Sequence, residues 1–374
     1  MGDWINELLD TIDISLPDNQ AKRQILEKLN KLCKTNGGLG EIETILTKLA
    51  GIQGDKVLST GRAVIVFAAD HGVTAEGVSK FCSSDSMKMT VAILKGESAV
   101  GCLAEQMGIP LFCWDVGLKD SVPESTAYVH TLQRAKVAYG TRNFVNGPAM
   151  GDQELRAALE RGRQAVHQLP QDIRLVALGE MGMGNTTSAA ALAAVLLNVL
   201  PEKVVGGGAG YADIGHKVTV IERALRNNGF CLPVEITPGR VVEVLKTFGG
   251  IEIAALTGAC LEAALDRRTV ILDGFVTTVA AFIAFLLKPA VVNYLLPSHL
   301  ALEPGHRLLL NKLGLRPVLN LELKVGEGAG GLLLFPLIDS GIVLLEQMAS
   351  FAELGISGVT TKHYQSYDRL DSNQ

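Results

Sequence analysis

The feature that most constrains this chain is a series of short apolar runs along its middle, each ending beside a polar group and glycine or histidine. "RAVIVFAAD" (62–70), "IPLFCWDVG" (109–117), "IRLVALGE" (173–180), "RTVILDG" (268–274), "AVVNYLLPSH" (290–299) and "PVLNLELKVG" (317–326) follow this form. Continuous apolar runs belong to strands covered on both faces, the condition of a parallel strand between two layers of helices. Helical stretches separate the runs, so right-handed strand–helix–strand crossovers and an α/β fold are predicted.

The run ends carry the polar chemistry: Asp70-His71-Gly72, Asp115-Val116-Gly117, Gly179-Glu180, Asp273-Gly274, Ser298-His299 and Gly326-Glu327-Gly328. Ligands of open α/β sheets bind outside the carboxyl ends of the strands. Any one such turn needs Gly, Asp or Ser for its own geometry. Their recurrence at every run end predicts that they line one cleft.

With 374 residues the chain exceeds one average domain, and with 48% hydrophobic residues, 20% charged residues and 40 glycines it reads as a globular, loop-dependent enzyme. A net charge of −5 and the lack of a dense Lys/Arg block argue against a nucleic-acid partner. The cysteines at 33, 82, 102, 113, 231 and 260 form no CxxC pair and have no zinc spacing, so they read as reduced core residues and no metal site is expected. The start, "MGDWINELLDTIDISLPD", is acidic and amphipathic, unlike a secretion signal. "GFVTTVAAFIAFLL" (274–287) is too short to span a bilayer and reads as a buried helix. The expectation is a cytoplasmic protein with no membrane partner. Residues 1–50 read as helices, and the apolar segment 331–354 is expected to pack with them. The predicted domains are a small helical one, 1–55 with 331–374, and a large α/β one, 56–330.

Three segments hold the chemistry. In "LGEMGMGNTTSAAA" (178–191), Glu180 precedes Asn185, Thr186, Thr187 and Ser188, more polar groups than a helix cap needs. Free amides at a helix N-terminus bind phosphate. "VVGGGAGYADIGHK" (204–217) pairs a glycine cluster with Lys217, a composition shared by anion sites and plain flexible turns. In "LKVGEGAGG" (323–331), glycines on both sides leave the Glu327 carboxylate unshielded. A cleft lined by Val325, Met181 and Met183 would desolvate Glu327 and make it a better base near neutral pH.

"FAADHGVTAEGVS" (67–79), "GEMGMGNTTSAA" (179–190), "GGIEIAALTGA" (249–259), "LDGFVTTVAA" (272–281), "PSHLALEPGH" (297–306) and "GEGAGG" (326–331), in this order, resemble the nicotinate-nucleotide:dimethylbenzimidazole phosphoribosyltransferase family of cobalamin nucleotide-loop assembly. The resemblance covers about residues 20–355. It implies a Rossmann-like large domain with a mainly parallel sheet, a small helical domain from both chain ends, and a homodimer. It implies transfer of phosphoribose from nicotinate mononucleotide to a ring nitrogen of an aromatic base, giving an α-ribazole 5′-phosphate-like nucleotide and nicotinate. By the same resemblance Glu327 is the catalytic base and Glu180 the second acid. Gly182, Asn185, Thr186, Gly208 and Lys217 fall on phosphate and ribose contacts, and Phe81, Met89, Met181, Met183 and Val325 on the base pocket. No pyrophosphate leaves in this reaction, so no metal or other cofactor is required.

Two segments depart from the family pattern: "KFCSSDSMKM" (80–89), where some relatives carry a polar base-recognising side chain at the position of Met89, and "KTNGGLG" (34–40). The first leaves the acceptor open among adenine, a phenol and a substituted benzimidazole. A nucleotide-binding regulator or partner subunit of the same fold is the alternative class. A hydrolase, with water as acceptor, is a third. An exposed Gly-flanked base favours an enzyme, and an apolar pocket favours an aromatic acceptor over water.

Overall fold

A computed structural model describes residues 4–54, 61–208 and 213–356. The chain opens with helices α1 (Trp4–Asp10), α2 (Asn19–Lys31) and α3 (Glu41–Gln53) and enters the sheet at β1 (Gly61–Ala69). There follow α4 (Ser83–Leu94), α5 (Ala99–Met107), β2 (Leu111–Gly117), β3 (Thr131–Arg134), α6 (Asp152–His167) and β4 (Ile173–Met181). Next come α7 (Asn185–Leu197), α8 (Ile214–Asn227), α9 (Pro238–Phe248), α10 (Ile251–Leu265), β5 (Thr269–Leu272) and α11 (Phe275–Leu287). The chain then forms β6 (Leu295–Pro297), α12 (Pro304–Leu313), α13 (Ala329–Leu332) and α14 (Phe335–Gln347).

The six strands pair in parallel in the order β3-β2-β1-β4-β5-β6. The winding reverses between β1 and β4, and such a reversal opens a crevice at the strands' carboxyl ends. Val64, Ile65, Val66 and Phe67 of β1 are fully buried, as an unbroken apolar run requires. The alanine-rich α7 and the apolar α10 and α11 are buried on nearly every side, since a helix apolar all round has no face to offer water. The run at 274–287 is thus a core helix.

Two compact units divide the chain: Met1–Leu16 with Ser59–Leu334, and Pro17–Leu58 with Phe335–Gln374. Two boundaries differ from those read in the sequence. The stretch Trp4–Leu16 falls in the large unit, where the Tyr294 hydroxyl donates to the Ser15 carbonyl at 2.7 Å and Arg267 donates to Ser15 Oγ at 2.8 Å. Residues 331–334 also fall there. In the small unit Asp18 caps α2 by accepting from the Gln20 and Ala21 amides at 2.7 and 3.2 Å. Its α14 packs Gly341 against Ile42 and Leu46 of α3. The departing segment "KTNGGLG" serves this unit: Lys34 pairs with Glu43 at 2.8 Å, and the Leu39 amide donates to the same carboxylate at 3.0 Å.

Several elements differ from expectation. Residues 317–326 form no strand; a single bridge joins Leu319 to His299, and Glu322 takes a left-handed φ of 53° that ends extended pairing. In the run 290–299 only Leu295–Pro297 is strand, the preceding residues winding into a 3₁₀ turn. β3, an edge strand of mixed polarity, has no apolar run to announce it. The segment 331–354 is broken at Leu333–Leu334 and its helix ends at Gln347. Ala329–Gln347 has the length and apolarity to cross a membrane, but over half of it is buried inside the protein. Of the cysteines, Cys113 and Cys260 are core residues, whereas Cys82, Cys102 and Cys231 are exposed and Cys33 is intermediate; all are free thiols.

Candidate active site

The carboxyl end of β4 sits where the winding reverses. Glu180, its penultimate residue, pairs with Phe67 of β1, and Gly182 just beyond lies so close to the Ala69 carbonyl that no side chain fits there. Asn185 Nδ2 donates to Glu180 Oε2, so the acid orients the first residue of α7. Burial drives the Glu180 pKa well above the usual carboxylate range; the charges of Asp273 and Glu252 push it further, against the Asn185 bond.

Glu327 approaches the same place from the other side. Its φ of 67° is left-handed, which costs a non-glycine residue roughly 1–2 kcal/mol. Its carbonyl presses on Gly179 of β4, where a Cβ would overlap it, and Gly326 leaves room for the Glu180 carboxylate. The two Gly-Glu turns are therefore packed together. The Glu327 side chain is only 4% exposed, and its Oε2 accepts from the Val100 amide at 3.4 Å, in the first turn of α5. Burial raises its pKa, while Ser98 and the Val100 and Ala99 amides pull the other way. The polar N-terminus of α5 thus faces this carboxylate.

Asp273 was expected only as one of the run-end groups, with no role of its own. It follows β5, is 1% exposed, and accepts from the Gly328 amide at 3.1 Å and the Gly331 amide at 3.3 Å. Burial raises its pKa to about 7 against the pull of the Gly328, Gly330 and Gly331 amides. Its partners are backbone groups more than fifty residues downstream, which leave no side-chain signature to read. His71, expected only as one of the run-end groups, is a buried partner: its Nε2 lies 2.6 Å from Oε1 of Glu252, which the sequence did not point to, behind Gly182 and Gly184.

Beside the two acids lies a cleft lined by Phe81, Gly182, Met183, Asn185, Thr186 and Lys217, with Gly184 and Gly207 among its walls. Gly208 adjoins it, against Thr186 and Lys217, while 209–212 of the same glycine segment lie outside the described residues. Lys217 is 2% exposed, and its Nζ donates to Gly206 O at 3.4 Å and to Thr186 Oγ1 at 3.5 Å. Burial lowers its pKa and the Glu303 carboxylate raises it. A buried cation opposite the N-terminus of α7 makes a receptor for a phosphate-sized anion.

Five of the expected phosphate and ribose residues thus come together. The base-pocket set divides. Phe81, 44% exposed, and Met183 line the cleft. Met89 on α4, the buried Met181 and the 38% exposed Val325 fall outside its lining. α4 begins within the departing segment: Asp85 accepts from the Cys82 amide at 3.1 Å and pairs with Lys88 at 2.9 Å. The Lys88 and Cys82 bonds hold Asp85 at a pKa of about 2.

Among the described residues, His167, Glu262 and Asp266 come near enough to hold a metal. Arg163 Nε already contacts Glu262 at 2.8 Å and Arg268 Nε lies 3.5 Å from Asp266, so this is an ion-pair network. It stands before β5, at the end of the sheet opposite the acids.

A family model described as Phosphoribosyltransferase matches residues 14–356. The nicotinate-nucleotide–dimethylbenzimidazole phosphoribosyltransferase of Desulforamulus reducens is 38% identical, over 92% of this chain and 97% of its own. The protein of the same name from Halalkalibacterium halodurans is 39% identical over 91% and 94%. The crystal structure of the protein of that name from Thermus thermophilus superimposes with a TM-score of 0.81 at 37% identity, over 91% of this chain and 99% of that one.

Proposed function

The chain belongs to the nicotinate-nucleotide–dimethylbenzimidazole phosphoribosyltransferase family, and from that premise we propose that it moves phosphoribose from nicotinate mononucleotide to a benzimidazole-type base. The products are nicotinate and α-ribazole 5′-phosphate. The observation that carries this reading is a buried, Gly-flanked carboxylate, Glu327, packed beside Glu180 and next to a cleft that holds one buried lysine at a helix N-terminus.

In the proposed reaction Lys217, Thr186, Gly208, Gly182 and the first turn of α7 hold the 5′-phosphate. Glu180 keeps Asn185 turned toward the ribose. The unprotonated ring nitrogen of the base attacks the anomeric carbon opposite the pyridinium. The bond to nicotinate breaks, with its electron pair returning to the pyridine ring. Glu327 takes the proton from the other ring nitrogen. Attack from the opposite face turns a β nucleotide into an α product. Burial suits Glu327 to this role, because a raised pKa makes a carboxylate a stronger base. The leaving group is already cationic, so positioning and one proton transfer suffice and no metal is called for. The family resemblance also supports a homodimer, and the free cysteines support a cytoplasmic location.

The test is incubation with nicotinate mononucleotide and a panel of aromatic bases, with and without a chelator, and mass detection of products. A base-dependent α-nucleotide, formed equally in chelator, is the expected result. Formation of ribose 5-phosphate alone would mean that water is the acceptor.

A further inference from the structure

We propose that Asp273 is a positioning residue that holds Glu327 in its working geometry, an inference that rests on the reading of Glu327 as the base. The turn that carries Glu327 is not stable in isolation. Glu327 occupies a left-handed conformation, and Gly328 after it has a φ of 99°. Something outside the turn must fix it. On one side that is Gly179 of β4, pressed against the Glu327 carbonyl. On the other it is Asp273, whose two carboxylate oxygens divide between the Gly328 amide at 3.1 Å and the Gly331 amide at 3.3 Å. The grip begins at the residue directly after Glu327 and spans the first turn of α13.

The anchor itself is rigid. Asp273 directly follows β5, which is fully buried and paired with β4 and β6. Gly330 lies against both Asp273 Oδ1 and the His299 ring, so the turn has no slack toward the sheet. His299 is held in turn by Ser298 at 3.0 Å. The Asp273 carboxylate thus ties the Glu327 turn to the end of β5, while Gly179 of β4 and His299 beyond β6 confine it from either side. Asp273 does not reach the anion cleft, so its contribution falls on the chemical step and not on nucleotide binding.

The experiment is a double-mutant cycle with Asp273→Asn and Glu327→Gln, measuring kcat and, separately, nicotinate mononucleotide affinity by titration. Asn is nearly isosteric but offers one acceptor where Asp offers two. Asp273→Asn is expected to lower kcat about 10–100-fold with nucleotide affinity within about twofold, and to add less than about twofold in the Glu327→Gln background, because residues acting as one unit are non-additive. An equal loss in both backgrounds, or no loss in the native one, overturns the role of Asp273 while leaving the base assignment intact. An unchanged kcat in Glu327→Gln alone overturns the base assignment and the proposal with it. Should Asp273→Asn not fold, Asp273→Glu keeps the charge and both acceptors but shifts them by one methylene. It is expected to show the same kcat loss, and native kcat in that variant overturns the proposal.

Discussion

Lys217 is the residue on which the anion site depends most. It is almost wholly buried, its Nζ donating to the Gly206 carbonyl and the Thr186 hydroxyl, with the Glu303 carboxylate acting on its charge. Burial lowers its pKa, so the free protein holds the charge at a cost that a bound phosphate would relieve. A charge-assisted hydrogen bond of this kind contributes roughly 1.5–3 kcal/mol. Lys217→Ala is therefore expected to weaken nicotinate mononucleotide binding about 10–100-fold in calorimetric titration, with kcat at saturating nucleotide changed far less. Unchanged affinity would place the phosphate elsewhere. Lys217 was legible in the sequence because a glycine cluster before a lysine is a side-chain pattern. Asp273 was visible only as a turn acid, because a carboxylate that binds backbone amides far down the chain pairs with no residue type that a reader could search for.

At the scale of elements, β4 and the turn 326–328 work as one piece. β4 is hydrogen-bonded on both sides, to β1 and β5, and cannot shift to admit a side chain at Gly179. The turn must move instead, and it carries Glu327. Overpacking of this kind costs about 1–3 kcal/mol. Gly179→Ala is expected to lower the melting temperature by a few degrees and to reduce turnover at least tenfold, with nucleotide affinity retained. Native turnover in a folded Gly179→Ala protein would show that the packing of the two Gly-Glu turns is irrelevant to catalysis. The strands that build this contact were readable because β1, β2, β4 and β5 are buried on both faces and so carry nearly unbroken apolar runs. β3 was not, since an edge strand with exposed Thr131 and Arg134 needs no such run. The segment 317–326 failed in the opposite sense. It has the apolar content of a strand, yet Leu321 and Val325 are left 49% and 38% exposed, because nothing beyond β6 extends the sheet to cover them.

For the whole molecule, one topological fact gathers the site: the winding reverses between β1 and β4, and Glu180, Asp273 and Glu327 stand at or just beyond a strand's carboxyl end or in the turn packed there. The proposed anion half rests on a buried helix start and a buried lysine. The half proposed to face the acceptor rests on Phe81 and Met183, with α4 starting immediately beyond. In the departing segment three polar groups at the head of α4 are engaged: Asp85 caps α4 and pairs with Lys88, and Ser84 Oγ lies 3.0 Å from Cys82 Sγ. Phe81 and Met183 bring an aromatic ring and a pliable thioether to the cleft, a surface that selects by shape and apolar area, beside Ser79, which is engaged by the Phe81 amide, and the exposed Lys80. Shape selection is worth about 1–3 kcal/mol per methylene, whereas a pocket built to hydrogen-bond its ligand discriminates far more strongly. Dimethylbenzimidazole is accordingly expected to react best, benzimidazole about tenfold less well, and adenine less again, since its amino group and extra ring nitrogens would lose water against Phe81 and Met183. Equal concentrations of dimethylbenzimidazole and adenine in one reaction, with the two α-nucleotides separated by mass, measure the ratio directly. A preference for adenine would mean that Ser83, Ser84 or Asp85 leaves its place at the head of α4 to read the base, and that this turn, not Phe81 and Met183, sets the specificity.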